Sequence, residues 1–139
     1  VQLVLDAYPL LVLFLKQRGW EIVDSLLEQA VDEGYTHLIS SINVGEILYT
    51  LGRDYGEKAA HEKLDRIKHG PIEIIDPSLE TVVLAAKMKA AGGISYADCF
   101  AGALALERDL VVLTGDKEFE RLVSFGVRIQ WLPPDASKE

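Results

Sequence analysis

A chain of 139 residues, 49% hydrophobic and 26% charged, has the size and balance of one folded domain with its own core, which excludes a disordered tail. Fourteen Lys and Arg against 22 Asp and Glu leave a net charge of −8, so a general positive field is not how this chain would hold a nucleic acid. One cysteine, Cys99, excludes an internal disulfide and a thiolate metal cluster, and suits a reducing compartment.

VQLVL (1–5) is a continuous apolar run and predicts a buried parallel strand. Pro9 suits the first turn of a helix reaching about Lys16. PLLVLFL (9–15) is apolar all round, so that helix is either buried within the domain or covered on its outer face by a partner's amphipathic segment. Ile22, Val23, Leu26, Leu27, Ala30 and Val31 recur at helical spacing over 20–33, and Gly34 ends that helix. THLIS (36–40) predicts a second strand, followed by a helix from about Asn43 to Asp54 and, after Gly56, a more polar helix reaching Lys68. PIEII (71–75) is the third strand, with Pro71 tolerable only at its start. Helices over about 78–91 and 96–108, split by Gly92-Gly93, lead to the strand LVVLT (110–114), a short helix after Asp116 and a last strand, VRIQWL (127–132).

Strands separated by helices imply right-handed crossovers, hence an α/β fold: a parallel sheet of about five strands sandwiched by helices. Residues 1–132 form the domain, and 133–139, opened by Pro133-Pro134, form a polar tail. The longest apolar stretch, Tyr8–Leu15, is too short to cross a bilayer and no signal peptide is marked, so the chain reads as cytoplasmic.

In such a sheet the carboxyl ends of all strands share one edge, where ligands bind. Asp6 follows the first strand and Asp116 the fourth, and Glu46 lies one turn into the helix after the second. Asp98 is not placed there by periodicity, because a helix precedes its own. Each acid also has a plain structural reading: Ser95-Tyr96-Ala97-Asp98 fits a capping box, Asn43-Val44-Gly45-Glu46 a looser one, and Asp6 and Asp116 can each be N-caps. Number and setting favour chemistry, since Asp6 follows VQLVL and Asp98 precedes CFAGALAL, neither a hydrated segment. Carboxylates converging on one half-buried crevice repel each other unless protons or a cation compensate.

VLDAYPLL, SINVGEILYTLGRDYG, ISYADCFAGALALE and LVVLTGDKEFERL together resemble a PIN domain, specifically the VapC-type ribonuclease toxins of prokaryotic toxin–antitoxin pairs. The resemblance runs from Asp6 to the last strand. It implies metal-binding acids at Asp6, Glu46, Asp98 and Asp116, a supporting polar residue at Thr114, cleavage of RNA to 3′-hydroxyl and 5′-phosphate products, a VapB-type antitoxin partner and a homodimer. The chain departs from the family in one respect: a hydroxyl residue often follows the first Asp closely, whereas Ala7 and Tyr8 follow here. An all-carboxylate set without Cys or His suits Mg²⁺ or Mn²⁺. Asp6 and Asp98 are then the principal ligands, with Glu46 and Asp116 completing the site or orienting the water.

Arg53, Lys58, Lys63, Arg66 and Lys68 offer RNA-backbone contacts or a solvated face, and Lys117 and Arg121 are expected beside the crevice. All three histidines are expected at the surface, Cys99 in the core, and Trp20 and Trp131 in the core or at its rim, with Trp20 also suited to a partner surface. Two other classes compete. A phosphoacceptor receiver domain needs a carboxylate pair near strand one and a lysine after its last strand, and here Asp6 stands alone. The other is a catalytically inactive PIN-like scaffold that binds protein or RNA; the presence of all four acids argues against it.

Overall fold

A central strand covered by helices on both faces must be apolar on both, and β1 (Leu3–Leu5) is buried at every residue. The computed structural model describes residues 1–133; the rest of the polar tail lies outside the described residues. After β1 come α1 (Ala7–Phe14), α2 (Trp20–Glu33), β2 (His37–Ser40), α3 (Ser41–Tyr55), α4 (Glu57–His69) and β3 (Ile72–Ile75). The chain continues through α5 (Leu79–Ala90), α6 (Tyr96–Arg108), β4 (Val111–Thr114), a 3-10 helix (Lys117–Phe125) and β5 (Ile129–Trp131).

All four strand pairings are parallel and the sheet order is β3-β2-β1-β4-β5. The expected α/β architecture of five parallel strands is what forms. The chain builds outward from β1 to β3 on one side, then returns to build β4 and β5 on the other. The order therefore reverses between β1 and β4, which makes the carboxyl ends of those two strands the switch point where a crevice opens.

Side chains alternate across the sheet and divide the core in two. Leu3, Leu5, Ile39 and Leu113 join the layer under α1 to α4, while Val4, Leu38 and Val112 join the layer under α5, α6 and the 3-10 helix. That second layer is tight: a Cβ on Gly102 of α6 would lie 2.5 Å from Leu122 Cδ1. Cys99 is buried within it, as expected of a small core residue.

Element ends shift for identifiable reasons. α1 starts at Ala7, two residues before Pro9, because Asp6 takes the N-cap position in an extended conformation. Asn43 does not begin α3: Ser40 does, its Oγ accepting the Ile42 N–H at 3.2 Å. The histidine expectation fails at His37, which is buried. Its Nδ1 accepts the Leu3 N–H at 3.0 Å and its Nε2 lies 3.2 Å from the Leu26 carbonyl, so the neutral Nε2–H tautomer satisfies both and stitches β1, β2 and α2 together. Burial lowers its pKa, in keeping with a neutral ring. His61 and His69 are exposed. Among the described residues no helix is long and apolar enough to cross a membrane.

Candidate metal centre at the sheet switch point

The residue after a buried strand inherits that strand's alternation. Asp6 therefore points with Val4, toward the face covered by α6, and Thr114 points with Val112 to the same face. The β1–β4 register pairs Leu5 with Leu113, so Asp6 and Thr114 come next as neighbours. Thr114 Oγ1 donates to Asp6 Oδ2 at 2.9 Å and accepts the Asp116 N–H at 3.1 Å. The hydroxyl support that does not follow Asp6 in sequence thus comes from the adjacent strand. Gly115 keeps the connection open for Tyr8, because a Cβ there would lie 2.3 Å from Tyr8 Cε1.

Asp98 sits in the first turn of α6, with its N–H donated to the Ser95 Oγ cap at 3.2 Å. The capping reading of Ser95 is correct, yet the Asp98 carboxyl is 4% exposed and faces other acids. Glu46 reaches the same crevice from α3, half-buried. Asn43, one turn earlier, is buried and donates from Nδ2 to the Ala97 carbonyl at 3.1 Å, tying α3 to the start of α6. Asp116 is both things at once: its Oδ1 caps the 3-10 helix by accepting the Glu118 N–H at 3.0 Å, and its charge bears on Asp6, Glu46 and Asp98.

Electrostatics mark the crevice as a set of buried, mutually repelling carboxyl groups. Burial, then repulsion from Asp98, holds the Asp6 carboxyl well above its usual range despite the Thr114 hydrogen bond; Glu46 and Asp116 add smaller repulsions. Asp98 is pushed up to about 8, first by burial, then by Asp116 and Glu46. Glu46 is raised chiefly by burial. Asp6 Oδ1, Asn43 Oδ1 and Glu46 Oε1 are buried with no hydrogen-bond partner among the described residues. Orphaned oxygens of this kind are costly, and a hard cation with its waters is the kind of partner they fit.

Carboxylate oxygens of Asp98, Asp116 and the exposed Glu118 all lie within 4.8 Å of one another, close enough that the three could hold a metal ion together. Sequence reasoning missed Glu118. Its signal was an acid in the first turn of a helix, which reads equally well as a complement to the helix dipole. Asp6 and Glu46 lie outside that triad but close enough to be repelled by its members.

The cations sit less uniformly than expected. Lys63 and Arg66 lie over the Phe14 ring, 5.4 and 5.1 Å from its centroid, toward α1. Arg53 pairs with Asp54 at 2.9 Å. Arg121 covers the turn before α6, where a Cβ on Gly93 would lie 2.6 Å from its guanidinium carbon. Lys117 is exposed next to Asp116.

Removing the Thr114 hydroxyl tests how the first acid is held. Thr114→Val keeps the shape but strips Asp6 of its hydrogen bond and orphans the Asp116 N–H. It should cost about 1–3 kcal/mol in urea denaturation. An unchanged midpoint would mean that the hydroxyl does not hold Asp6.

A parallel sheet whose central strands end in a convergence of buried carboxyl groups defines an α/β protein with an acidic crevice suited to a hard cation. The chain belongs to the PIN domain family, whose model matches residues 3–124. Its fold is similar to a solved complex described as VapBC2 from Rickettsia felis bound to a DNA fragment from its promoter: TM-score 0.75, 18% identity, 96% of this chain and 100% of that one covered. DNA-bound VapBC from Salmonella typhimurium matches with TM-score 0.73 and 19% identity over 94% of this chain and 97% of that one. Mycobacterium tuberculosis VapC20, described as a toxin cleaving the sarcin-ricin loop, matches with TM-score 0.68 and 11% identity over 88% and 95%. Among curated proteins none matches the chain in sequence.

Proposed function

We propose that this protein is a Mg²⁺- or Mn²⁺-dependent endoribonuclease, the VapC-type toxin of a toxin–antitoxin pair acting in the cytoplasm. The observation that carries the reading is the buried Asp6, half-satisfied by Thr114 and facing Asp98, Glu46 and Asp116 at the switch point of a PIN fold. Asp6 and Asp98 would hold the cation, with Glu46 and Asp116 completing the site; Glu118 adds a fifth carboxylate on the solvent side. When bound, the ion neutralises phosphate charge and acidifies water. The chain's own residues do the rest. Thr114 fixes the orientation of Asp6, the Asn43–Ala97 bond keeps α3 and α6 in register, and Asp116 or Glu46 takes the proton from the attacking water. Family membership supports 3′-hydroxyl and 5′-phosphate products.

Partners follow the same support. A groove lined by Leu10, Leu13, Phe14, Leu27 and Ile67, with Arg66 and His69 at its edge, lies between α1, α2 and α4 and has a volume of about 310 Å³. It fits an amphipathic segment of a VapB-type antitoxin, and the similar solved structures are described as VapBC complexes. Self-association as a homodimer would use another face away from the crevice. Light scattering that returned only a monomer would remove that part.

Asp116→Asn tests the nuclease reading against simple capping. Asn caps about as well as Asp, so thermal unfolding without metal should barely move. Cleavage of a mixed tRNA pool with Mn²⁺ should fall at least about tenfold, roughly 1.4 kcal/mol of transition-state stabilisation. A variant that cuts like wild type would return Asp116 to the role of a cap.

A further inference from the structure

Tyr8 belongs to the Ala7-Tyr8 pair that follows Asp6 where the family often carries a hydroxyl residue, and it lies in the first turn of α1. Its ring is half-buried against the layer that holds Leu5, Leu113 and Leu132, whereas Asp6 and Thr114 point to the other face of the sheet. From that side the ring reaches across to the connection after β4. A Cβ added at Gly115 would lie 2.6 Å from Tyr8 Cζ and 2.9 Å from its hydroxyl oxygen, closer than a side chain can stand. The backbone of Gly115 has no need of glycine, since its φ lies outside the left-handed region. The space under the ring is what requires it.

The Thr114-Gly115-Asp116 turn is thus gripped from both faces. On one, Thr114 Oγ1 accepts the Asp116 N–H at 3.1 Å; on the other, the Tyr8 ring covers Gly115. The segment after β1 therefore meets the segment after β4 twice, through Thr114 Oγ1 donating to Asp6 Oδ2 at 2.9 Å and through Tyr8 on Gly115. The first contact orients Asp6. The second acts next to Asp116, whose carboxyl is repelled by those of Asp6, Glu46 and Asp98 and presses its own turn outward unless the backbone is held. A site that binds a cation must keep its ligands within about 0.5 Å of their working positions, and a methyl forced under the ring would displace the turn or the ring by more than that.

We infer that Tyr8 is a positioning residue of the acidic crevice: its ring, seated on the bare backbone of Gly115, fixes the turn that carries Asp116 and holds that carboxyl among the other acids for cation binding. This inference rests on the proposed metal dependence and deepens it, because it gives a task to the residues at which this chain departs from its family. The contact is made by the ring. A phenylalanine therefore keeps it, and a small aliphatic residue does not.

Mn²⁺ titrations followed by the EPR signal of the free ion, run beside metal-free thermal unfolding, separate positioning from packing. Tyr8→Ala should weaken Mn²⁺ binding about tenfold, and Tyr8→Phe by less. Gly115→Ala removes no atom of the fold, and it should also weaken binding about tenfold because its methyl and the ring compete for one space. In the double variant Tyr8→Ala/Gly115→Ala the methyl enters the space the ring has left. It should therefore bind no worse than either single variant, where two independent losses would multiply to about a hundredfold. Gly115→Ala and Tyr8→Phe carry the test if Tyr8→Ala does not fold. Affinities of the single variants within about twofold of wild type, whatever their melting temperatures, would overturn the positioning role and leave the metal site standing. Losses that multiply in the double variant would overturn it too. A wild-type protein that binds no Mn²⁺ would overturn both.

Discussion

Asp98→Asn should yield a protein that folds, resists heat at least as well as wild type without metal, and cuts RNA at least about a hundredfold more slowly. Asp98 is buried and its pKa is pushed up to about 8, so near neutral pH the metal-free crevice already holds it largely protonated. Asn has the same shape and no charge to desolvate, so the fold loses little and repulsion on Asp6 is relieved. In the proposed site the loss appears only when a cation must be held, because an Asp98 oxygen lies within 4.8 Å of oxygens of Asp116 and Glu118. A hundredfold loss corresponds to roughly 2.7 kcal/mol of transition-state stabilisation. Thermal unfolding and initial cleavage rates on the same preparations decide it. A variant that unfolds at lower temperature and still cuts at the wild-type rate would make Asp98 a structural residue.

Divalent metal should stabilise the wild-type protein strongly, and more so as pH rises. Metal in hundredfold excess over its dissociation constant adds about 2.7 kcal/mol, a rise in melting temperature on the order of 10 °C for a domain of this size. The pH dependence follows from the raised carboxyls. Asp98, pushed up to about 8, keeps in the native state a proton that the unfolded chain has lost, and burial and repulsion shift Asp6 and Glu46 in the same direction, so metal-free stability falls as pH rises toward about 8. His37 has the opposite sign. Its native pKa is lowered, so it costs stability only as pH falls below about 6.5. Between pH about 6.5 and 8 the carboxyls therefore set the slope: metal-free stability declines and the increment on adding Mn²⁺ grows. Calorimetric scans with and without metal across that window measure both. A metal-free protein whose stability climbs from pH 6.5 to 8 would contradict the repulsive crevice.

The strands were legible because a sheet covered on both faces demands unbroken apolar runs, and VQLVL and LVVLT have no other use. Asp6 and Asp116 were legible with them, since an acid at the end of such a run lies at the carboxyl edge of a parallel sheet. Asp98 was not, on spacing alone. It reaches the edge through the α5–α6 hairpin, whose turn uses Gly92 and Gly93 at φ +86° and +78° to bring the first turn of α6 back over the crevice. Only the family resemblance pointed to it. Glu118 escaped because first-turn acids are common on helices. His37 escaped because its use depends on a backbone N–H of β1, 34 residues away, that local sequence does not reveal. The dual character of Asp116 was also invisible: capping and site membership were posed as alternatives, and one carboxylate has two oxygens.

The most direct measurement is cleavage of an RNA pool by wild-type protein before chelation, after chelation with EDTA, and after Mn²⁺ is restored in excess. A metal-dependent nuclease built on Asp6, Glu46, Asp98 and Asp116 should cut, stop, and cut again, with Asp98→Asn inactive at the same Mn²⁺ concentration. Cleavage that persists unchanged in EDTA, or that Asp98→Asn performs as fast as wild type, would contradict it.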